Sequence, residues 1–220
     1  ELGNSLETVG SNAFYYCTEL ESVNMSEVVT TIGSSAFSNC TALTSITIPE
    51  TVTSIGNYAF NNCTSLAQIN FNAASMNDLA NNNYVFYNAG VNTDGINVWV
   101  GDKVAKIPAY LFYSTSNNSS YLPKITNVIF DSNSNCTEIG AYAFNGSSYL
   151  KQVVLPDGIT TIGTYAFYNC YNLLRVRIPS SVTAIDVYAF YACSNAIFAF
   201  ESEVLPSGLG SNWKSSDALS

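Results

Sequence analysis

Hydrophobic and polar positions recur along this chain with a fixed period. The dipeptide Ala-Phe appears in two groups of three, and inside each group the phenylalanines are 23 residues apart. Two looser copies lie between the groups, at Val85-Phe86 and Leu111-Phe112. Self-similarity at such a period is typical of repeat proteins, so the pattern predicts eight stacked units. The phenylalanines of these units are Phe14, Phe37, Phe60, Phe86, Phe112, Phe144, Phe167 and Phe190.

Each unit repeats the same positions around its phenylalanine. A branched aliphatic residue stands five positions before it, and the next position is mostly glycine, as in Ile32-Gly33 and Ile162-Gly163. In most units cysteine follows the phenylalanine by three positions and leucine by six, a spacing that predicts a short helical or 3₁₀ stretch. The glycines predict a turn with positive φ. They are Gly10, Gly33, Gly56, Gly140 and Gly163.

Alternating apolar pairs follow the leucine and predict a half-buried strand. One unit cannot bury its own apolar face, so the strands should pair in parallel with those of the next unit, about 4.8 Å away. We therefore predict an α/β solenoid with a parallel β-sheet on one face and short helical turns opposite. The pairs are Val23/Met25, Ile46/Ile48, Ile69/Phe71, Val98/Val100, Val128/Phe130, Val153/Leu155 and Val176/Ile178.

In the middle of the chain the spacing widens to 26, 26 and 32 residues. The additional residues are polar and indicate loop insertions. The run beginning at Asp131 imitates the start of a calcium loop, but Cys136 and Tyr142 stand where Gly and Glu are required, which favours a polar surface turn. The insertions cover Ser75–Asn83, Gly90–Asp94, Ser114–Ser120 and Asp131–Asn135.

The complete pattern, Ile-Gly-x-x-Ala-Phe-x-x-Cys-x-x-Leu-x-x-Ile-x-Ile-Pro, is nearly intact over Ile32–Pro49 and Ile162–Pro179. It resembles the 23-residue leucine-rich repeat of BspA-like bacterial surface proteins. The resemblance covers this chain from about residue 6 to residue 200. The resemblance implies a right-handed leucine-rich repeat solenoid that is secreted or attached to the cell surface and is not an enzyme. We expect the solenoid over residues 1–206 and a closing segment over residues 207–220. The abrupt start suggests that the array was cut from a longer chain.

Composition narrows the function further. Seven basic against sixteen acidic residues give a net charge of −9, which argues against binding to nucleic acid. The absence of histidine removes His-based triads, His-ligated zinc and imidazole acid–base chemistry. The carboxylates are scattered, so a carboxylate-only hydrolase is a distant third choice. We expect no cofactor, no metal and no membrane span, and a mature or trimmed soluble fragment that is a monomer.

The cysteines at the repeat position predict a column of buried, reduced thiols. Neighbouring coils are too far apart for the roughly 3.8 Å Cβ separation of a disulfide, and a 23-residue spacing does not suit zinc. Cys136 lies in an insertion and is predicted to be the most reactive thiol. The column holds Cys17, Cys40, Cys63, Cys170 and Cys193. Asn-x-Ser/Thr triplets begin at Asn24, Asn39, Asn62, Asn117, Asn118, Asn135 and Asn145, and two of them arise from the repeat itself.

Two outward surfaces are candidate ligand sites. Strand alternation predicts two solvent-facing columns, the second of which turns apolar at Trp99 and, with arginine, has the composition of an interaction hot spot. The candidate residues on these columns are Trp99, Ile129, Val154, Arg175, Arg177, Phe198 and Phe200. A tyrosine ridge on the turns is the alternative, although a column of this kind more often packs the gap between coils. It consists of Tyr58, Tyr84, Tyr110, Tyr142, Tyr165 and Tyr188, followed by a second row at Tyr15, Tyr87, Tyr113, Tyr168 and Tyr191.

Two functions follow from these surfaces. The first is adhesion or ligand binding, with a protein or glycan partner that could belong to a host extracellular matrix or cell surface. The second is a structural spacer or stalk that presents another domain of a larger surface protein. They differ in whether the strand face is free or is covered by the middle loops or a neighbouring domain.

Overall fold

The three-dimensional structure is a computed structural model, and it describes residues 3–114 and 122–215. Within these ranges the chain forms fifteen strands in three sheets, all paired in parallel. No helix in this part of the chain is long and apolar enough to cross a membrane. The strands are β1 Thr8–Val9, β2 Thr31–Ile32, β3 Ser45–Ile48, β4 Ser54–Ile55, β5 Gln68–Phe71, β6 Ile96–Val100, β7 Lys106–Ile107, β8 Ile125–Phe130, β9 Glu138–Ile139, β10 Gln152–Val154, β11 Thr161–Ile162, β12 Arg175–Ile178, β13 Ala184–Ile185, β14 Ile197–Phe200 and β15 Gly208–Leu209.

The largest sheet has seven strands in the order β14-β12-β10-β8-β6-β5-β3. Equivalent residues of successive units lie side by side, as in the register Ile46 to Ile69 and Ile69 to Val98. These residues are buried and their strand neighbours face outward, so the predicted alternation is confirmed. The first unit is the exception, because Val23 and Met25 lie outside any strand.

A second line of short strands runs along the branched aliphatic positions, where the sequence pattern predicts none. It is divided into a three-stranded sheet, β1-β2-β4, and a five-stranded sheet, β15-β13-β11-β9-β7. The division falls at the insertion over residues 75–83, which contains no strand. Asn83 Nδ2 instead donates to the carbonyl oxygen of Ile55 at 3.1 Å, and Asp78 accepts a hydrogen bond of 2.8 Å from the Ala109 N–H. The insertion thus satisfies backbone groups on both sides of the missing strand.

The predicted helical stretch is wrong, since residues 3–114 and 122–215 contain no helix. The Phe-x-x-Cys segment is a chain of turns in which N–H groups alternate between two kinds of partner. The N–H of Cys63 donates to the carbonyl oxygen of Phe60 in its own coil. The N–H of Phe60 instead donates to the carbonyl oxygen of Val85 in the next coil. Left-handed residues, including Tyr58 at φ 58° and Asn62 at φ 55°, allow this alternation. A helix would have directed most of these N–H groups to carbonyl oxygens of its own coil, so this segment would form fewer hydrogen bonds to the next coil.

The positive φ predicted for the repeat glycines is wrong, because none of them has it. They allow close packing of the coils instead. A Cβ added to Gly56 would lie 2.4 Å from the backbone nitrogen of Ser34, and one added to Gly33 would lie 2.5 Å from that of Ser11. Real Cβ atoms do not approach that closely. Coils therefore touch backbone to backbone here, although Pro108 and Asp186 occupy the same position in other units.

The core is a stack of the eight repeat phenylalanines. Ring centroids of successive units are 5.0 to 5.3 Å apart and the rings are nearly parallel. Trp213 packs edge-on against Phe190 and Phe198 at the end of the stack. Strand β15, which precedes Trp213 in the chain, pairs with β13, and Lys214 forms a β-bridge with Phe190. Residues 208–214 therefore add a partial further coil.

Candidate functional site

The outward face of the seven-stranded sheet has a polar half built from β3, β5 and the start of β6. Its side chains form hydrogen bonds with one another, both within a strand and between neighbouring coils. Asn70 Nδ2 donates to Thr47 Oγ1 at 3.0 Å, and Gln68 Nε2 donates to Asn70 Oδ1 at 2.8 Å. Because these groups satisfy each other, a ligand would have to break their hydrogen bonds before using them.

The other half of this face carries an apolar stripe, which we define as Trp99, Ile129 and Val154. The backbone register places Trp99 beside Ile129 and Ile129 beside Val154, so the three side chains lie on adjacent strands. Trp99 is 46% exposed and Val154 is 47% exposed. The stripe is thus continuous and open to solvent among the described residues.

Arg177 lies on the next strand beyond the stripe, and its guanidinium donates three hydrogen bonds. It donates from Nη2 to Asp157, from Nε to Glu201 and, at 3.4 Å, from Nη1 to the Leu155 carbonyl. The hydrogen bonds to Asp157 and Glu201 raise its pKa. Arg177 can therefore offer a ligand the flat face of its guanidinium, but three of its five N–H donors are already used.

Phe198 and Phe200 face the core, which corrects the expectation that both face solvent. Strand β14 pairs Ile197 with Arg175 and Phe198 with the buried Val176. Phe198 is only 7% exposed, and both phenylalanines pack against Trp213. The last unit has one residue fewer before its strand, and a one-residue slip moves every side chain of a strand to the other face. Ile197, 45% exposed, takes the outward position instead.

Arg175 lines a groove of about 470 Å³ between β8, β10 and β12. Lys151, Val154 and Leu174 also line this groove. Neither Arg175 nor Lys151 has a side-chain hydrogen bond or ion pair to any described residue, so both charges face solvent unpaired. The sequence pattern predicted Arg175 as a site residue but did not predict Lys151 and Leu174. Lys151 stands one position before β10, and Leu174 stands one position before β12.

The tyrosine ridge is stacked upon itself. Tyr142 lies 4.8 Å from both Tyr110 and Tyr165 in near-parallel stacks, and Tyr168 packs edge-on against Tyr165 at 5.1 Å. Burial raises the pKa of the Tyr110 and Tyr142 hydroxyls. These contacts fit a packing role between coils, in which the tyrosines of the ridge are half-buried.

The cysteine column is buried in four of its five members, and no disulfide occurs among the described residues. The exception is Cys17, which is exposed. Our prediction for Cys136 is wrong, because this thiol is fully buried and burial raises its pKa to about 11. It stands three positions before Ile139, where other units carry buried aliphatic residues. Those residues are Val29, Val52, Val104, Ile159 and Val182.

The run beginning at Asp131 is a hydrogen-bonded turn, with the Asp131 carboxylate accepting from the Asn133 N–H at 2.8 Å. The repeat asparagines are also occupied, since Asn62 Nδ2 donates to Asn39 Oδ1 at 2.9 Å. A glycan on Asn62 would replace that hydrogen bond. The triplets at Asn117 and Asn118, and most of the insertion at Ser114–Ser120, lie outside the described residues.

Comparison with a family of known repeats agrees with this geometry. The model of the BspA type leucine rich repeat region matches the chain in six copies, over residues 1–119 and 116–203. Among proteins with curated descriptions, none matches the chain.

Solved structures are similar to the chain over nearly its whole length. A leucine-rich repeat protein from Eubacterium ventriosum ATCC 27560 is 28% identical, with a TM-score of 0.54, and the match covers 93% of this chain and 43% of that one. A leucine rich cell surface protein from Faecalibacterium prausnitzii A2-165 is 27% identical, with a TM-score of 0.47, and the match covers 92% of this chain and 59% of that one. The chain therefore spans less than two thirds of either protein.

Proposed function

Because the chain belongs to the BspA-type leucine rich repeat family, we propose that it is a non-catalytic binding module of a bacterial surface protein. Repeat proteins of this kind generally bind proteins through extended surfaces. The observation that carries the proposal is the apolar stripe, because soluble proteins seldom leave contiguous apolar side chains bare without a partner. We place the ligand on the outward face of the seven-stranded sheet, over Trp99, Ile129 and Val154.

The two halves of this face support that position. The polar half is occupied by its own hydrogen bonds, whereas the side chains of the stripe are apolar apart from the indole N–H of Trp99. Trp99 is the strongest candidate anchor, since tryptophan dominates binding energy in protein interfaces. The tyrosine ridge is less suited because its rings already pack against each other. Adhesion to a host extracellular matrix or cell surface is the role we propose for this face, with a protein as the first ligand class and a glycan as the second.

A binding panel tests the proposal. Purified matrix proteins and an array of glycans are probed with the wild-type chain, Trp99→Ala and Tyr165→Ala. We expect a ligand whose affinity falls by about 2 kcal/mol or more with Trp99→Ala, because hot spots concentrate in aromatic anchors. Tyr165→Ala should leave that affinity unchanged, and the melting temperature of Trp99→Ala should stay near that of wild type.

Other results identify the alternatives. If Tyr165→Ala removes binding and Trp99→Ala does not, the tyrosine ridge is the site. If the wild-type chain binds nothing on the panel while remaining folded, the spacer or stalk function replaces the binding function.

A further inference from the structure

The distribution of charge along the solenoid is strongly uneven. The first 102 residues contain nine acidic and no basic side chains, whereas the remainder contains seven of each. The entire net charge of −9 therefore belongs to the N-terminal part of the array. Since successive coils follow the chain, one end of the solenoid is acidic and the other is neutral overall.

Most cations in the neutral part are already committed to partners. Lys103 pairs with Glu50 at 2.8 Å and Lys106 with Asp78 at 2.8 Å. Lys124 Nζ donates to the carbonyl oxygen of Thr93. Arg177 is held by two carboxylates. The groove around Arg175 differs because Lys151 and Arg175 have no such partner among the described residues.

Exposed aliphatic side chains surround these two cations. Leu174 is 58% exposed and its N–H donates to the Lys151 carbonyl oxygen at 3.2 Å, so the two residues lie on adjacent coils. Ile197 lies beside Arg175 in the strand register, and Val154 lines the groove from β10. A ligand for this groove needs negative charge and apolar surface within a few ångströms of each other.

We infer that this groove binds an acidic peptide segment of the partner, in which carboxylates contact Lys151 and Arg175 and an adjacent apolar side chain covers Leu174, Val154 and Ile197. The inference rests on the proposed function, in that it assigns a ligand chemistry to the neutral end of the same sheet face. The acidic N-terminal coils repel such a segment, which directs it toward the groove. A sulfated glycan suits the groove less well, because it offers no apolar group for the three aliphatic side chains.

The test uses two fluorescein-labelled hexapeptides, one of alternating Glu and Phe and one of alternating Asp and Leu. Fluorescence anisotropy with the full chain should show binding that weakens as salt is raised from about 50 to about 300 mM. Arg175→Ala should weaken binding of at least one peptide about tenfold or more, as expected when a charged hydrogen bond is lost. Leu174→Ser should weaken it severalfold. Lys103→Ala is the matched control, because it removes a cation outside the groove, and should change affinity less than twofold.

Matched probes separate the chemistry of the ligand. A hexapeptide with Gln in place of Glu, and one of alternating Glu and Ser, should both bind much more weakly. The inference is overturned if neither acidic-apolar peptide binds, if Arg175→Ala and Lys151→Ala leave binding unchanged, or if a heparin oligosaccharide binds the groove more tightly than the peptides.

Its failure is distinguishable from that of the proposed function. A panel ligand that depends on Trp99, together with no hexapeptide binding, keeps the binding face and rejects the acidic ligand. Hexapeptide binding that depends on Arg175 supports an acidic ligand in the groove, whether or not Trp99→Ala weakens binding to the panel ligands.

Discussion

The sulfur of Cys63 lies 3.2 Å from the carbonyl oxygen of Phe37 in the preceding coil and donates a hydrogen bond to it. Cys40, Cys170 and Cys193 make the same contact with the phenylalanine of the coil before theirs. The thiol column therefore links successive coils as a set of weak hydrogen bonds inside the core. Burial raises the pKa of the Cys40 thiol to about 11 and also raises the pKa of the Cys63 thiol. Both thiols therefore stay protonated at neutral pH.

The first prediction concerns thiol reactivity. With a disulfide reagent such as DTNB in mildly alkaline buffer, the native chain should show one fast thiol, Cys17, because reactivity requires exposure and thiolate. Cys17→Ser should remove the fast phase and Cys136→Ser should preserve it. All six cysteines should react in denaturant. A fast phase that persists in Cys17→Ser would show that a buried coil opens readily.

The second prediction concerns the phenylalanine stack. Phe60→Ala should lower the free energy of unfolding by about 3 to 5 kcal/mol, because it leaves a cavity between two stacked rings. Ser132→Ala, at an exposed turn, should cost less than about 0.5 kcal/mol and serves as the control. Urea denaturation followed by circular dichroism measures both. A surface-like cost at Phe60 would contradict the packing described above.

The third prediction uses two glycines of the same repeat position. Gly56→Ala should destabilise the fold by about 1 to 3 kcal/mol, because the new Cβ meets the backbone of Ser34. Gly10→Ala is the matched control, since a Cβ added at Gly10 would have no atom within 4 Å. Its stability should be unchanged or slightly higher, and the melting temperatures of the two variants compare them directly. Equal effects would mean that the coils separate enough to admit a methyl group.

The fourth prediction concerns the insertion that interrupts the line of short strands. Burial alone raises the pKa of Asp78, but the hydrogen bonds from Lys106 and the Ala109 N–H outweigh it, so the pKa is lowered in the folded chain. Asp78→Ala should cost about 1 kcal/mol at neutral pH, which is less than is usual for a hydrogen bond to a charged group, because solvent screens the pair.

The pH dependence gives this prediction its sign. A lowered pKa stabilises the fold fully above the ordinary aspartate value of about 4, and the contribution is lost as the pH falls through the lower folded value. The difference between wild type and Asp78→Ala should therefore shrink toward about pH 2 in urea titrations. Glu50→Ala is the control, because its exposed pair with Lys103 includes no backbone donor and should contribute less at every pH.

Much of the solenoid could be predicted from residues alone. The repeat of Phe, Cys and Leu fixed which side chains share a column, and the pairs such as Ile46 and Ile48 fixed the inward face of the large sheet. Both inferences hold because each unit meets the same neighbours on either side. The apolar stripe followed from the same alternation, since Trp99, Ile129 and Val154 occupy equivalent strand positions.

The errors in placing Phe198, Phe200 and Cys136 fall where the repeat is imperfect. The shorter last unit shifts Phe198 and Phe200 inward, and the alternation of Phe198 with Ile197 is consistent with either face. The polar neighbours of Cys136 suggest an exposed loop, although its distance from Ile139 places it in a buried aliphatic column. The three-residue spacing between Cys136 and Ile139 in the sequence could have predicted that Cys136 is buried.

The sequence by itself determined the period, the core columns and the parallel stacking, because these depend on the spacing of apolar residues. Tertiary structure decided how the remaining backbone is satisfied. An N–H in the Phe-x-x-Cys segment can donate to a carbonyl oxygen of its own coil or of the next coil. The second hydrogen bond is possible only when the next coil is packed alongside. That choice turned a predicted helix into a chain of turns with left-handed tyrosines. It also set which thiols, glycines and cations remain accessible, because accessibility depends on the coil that lies alongside.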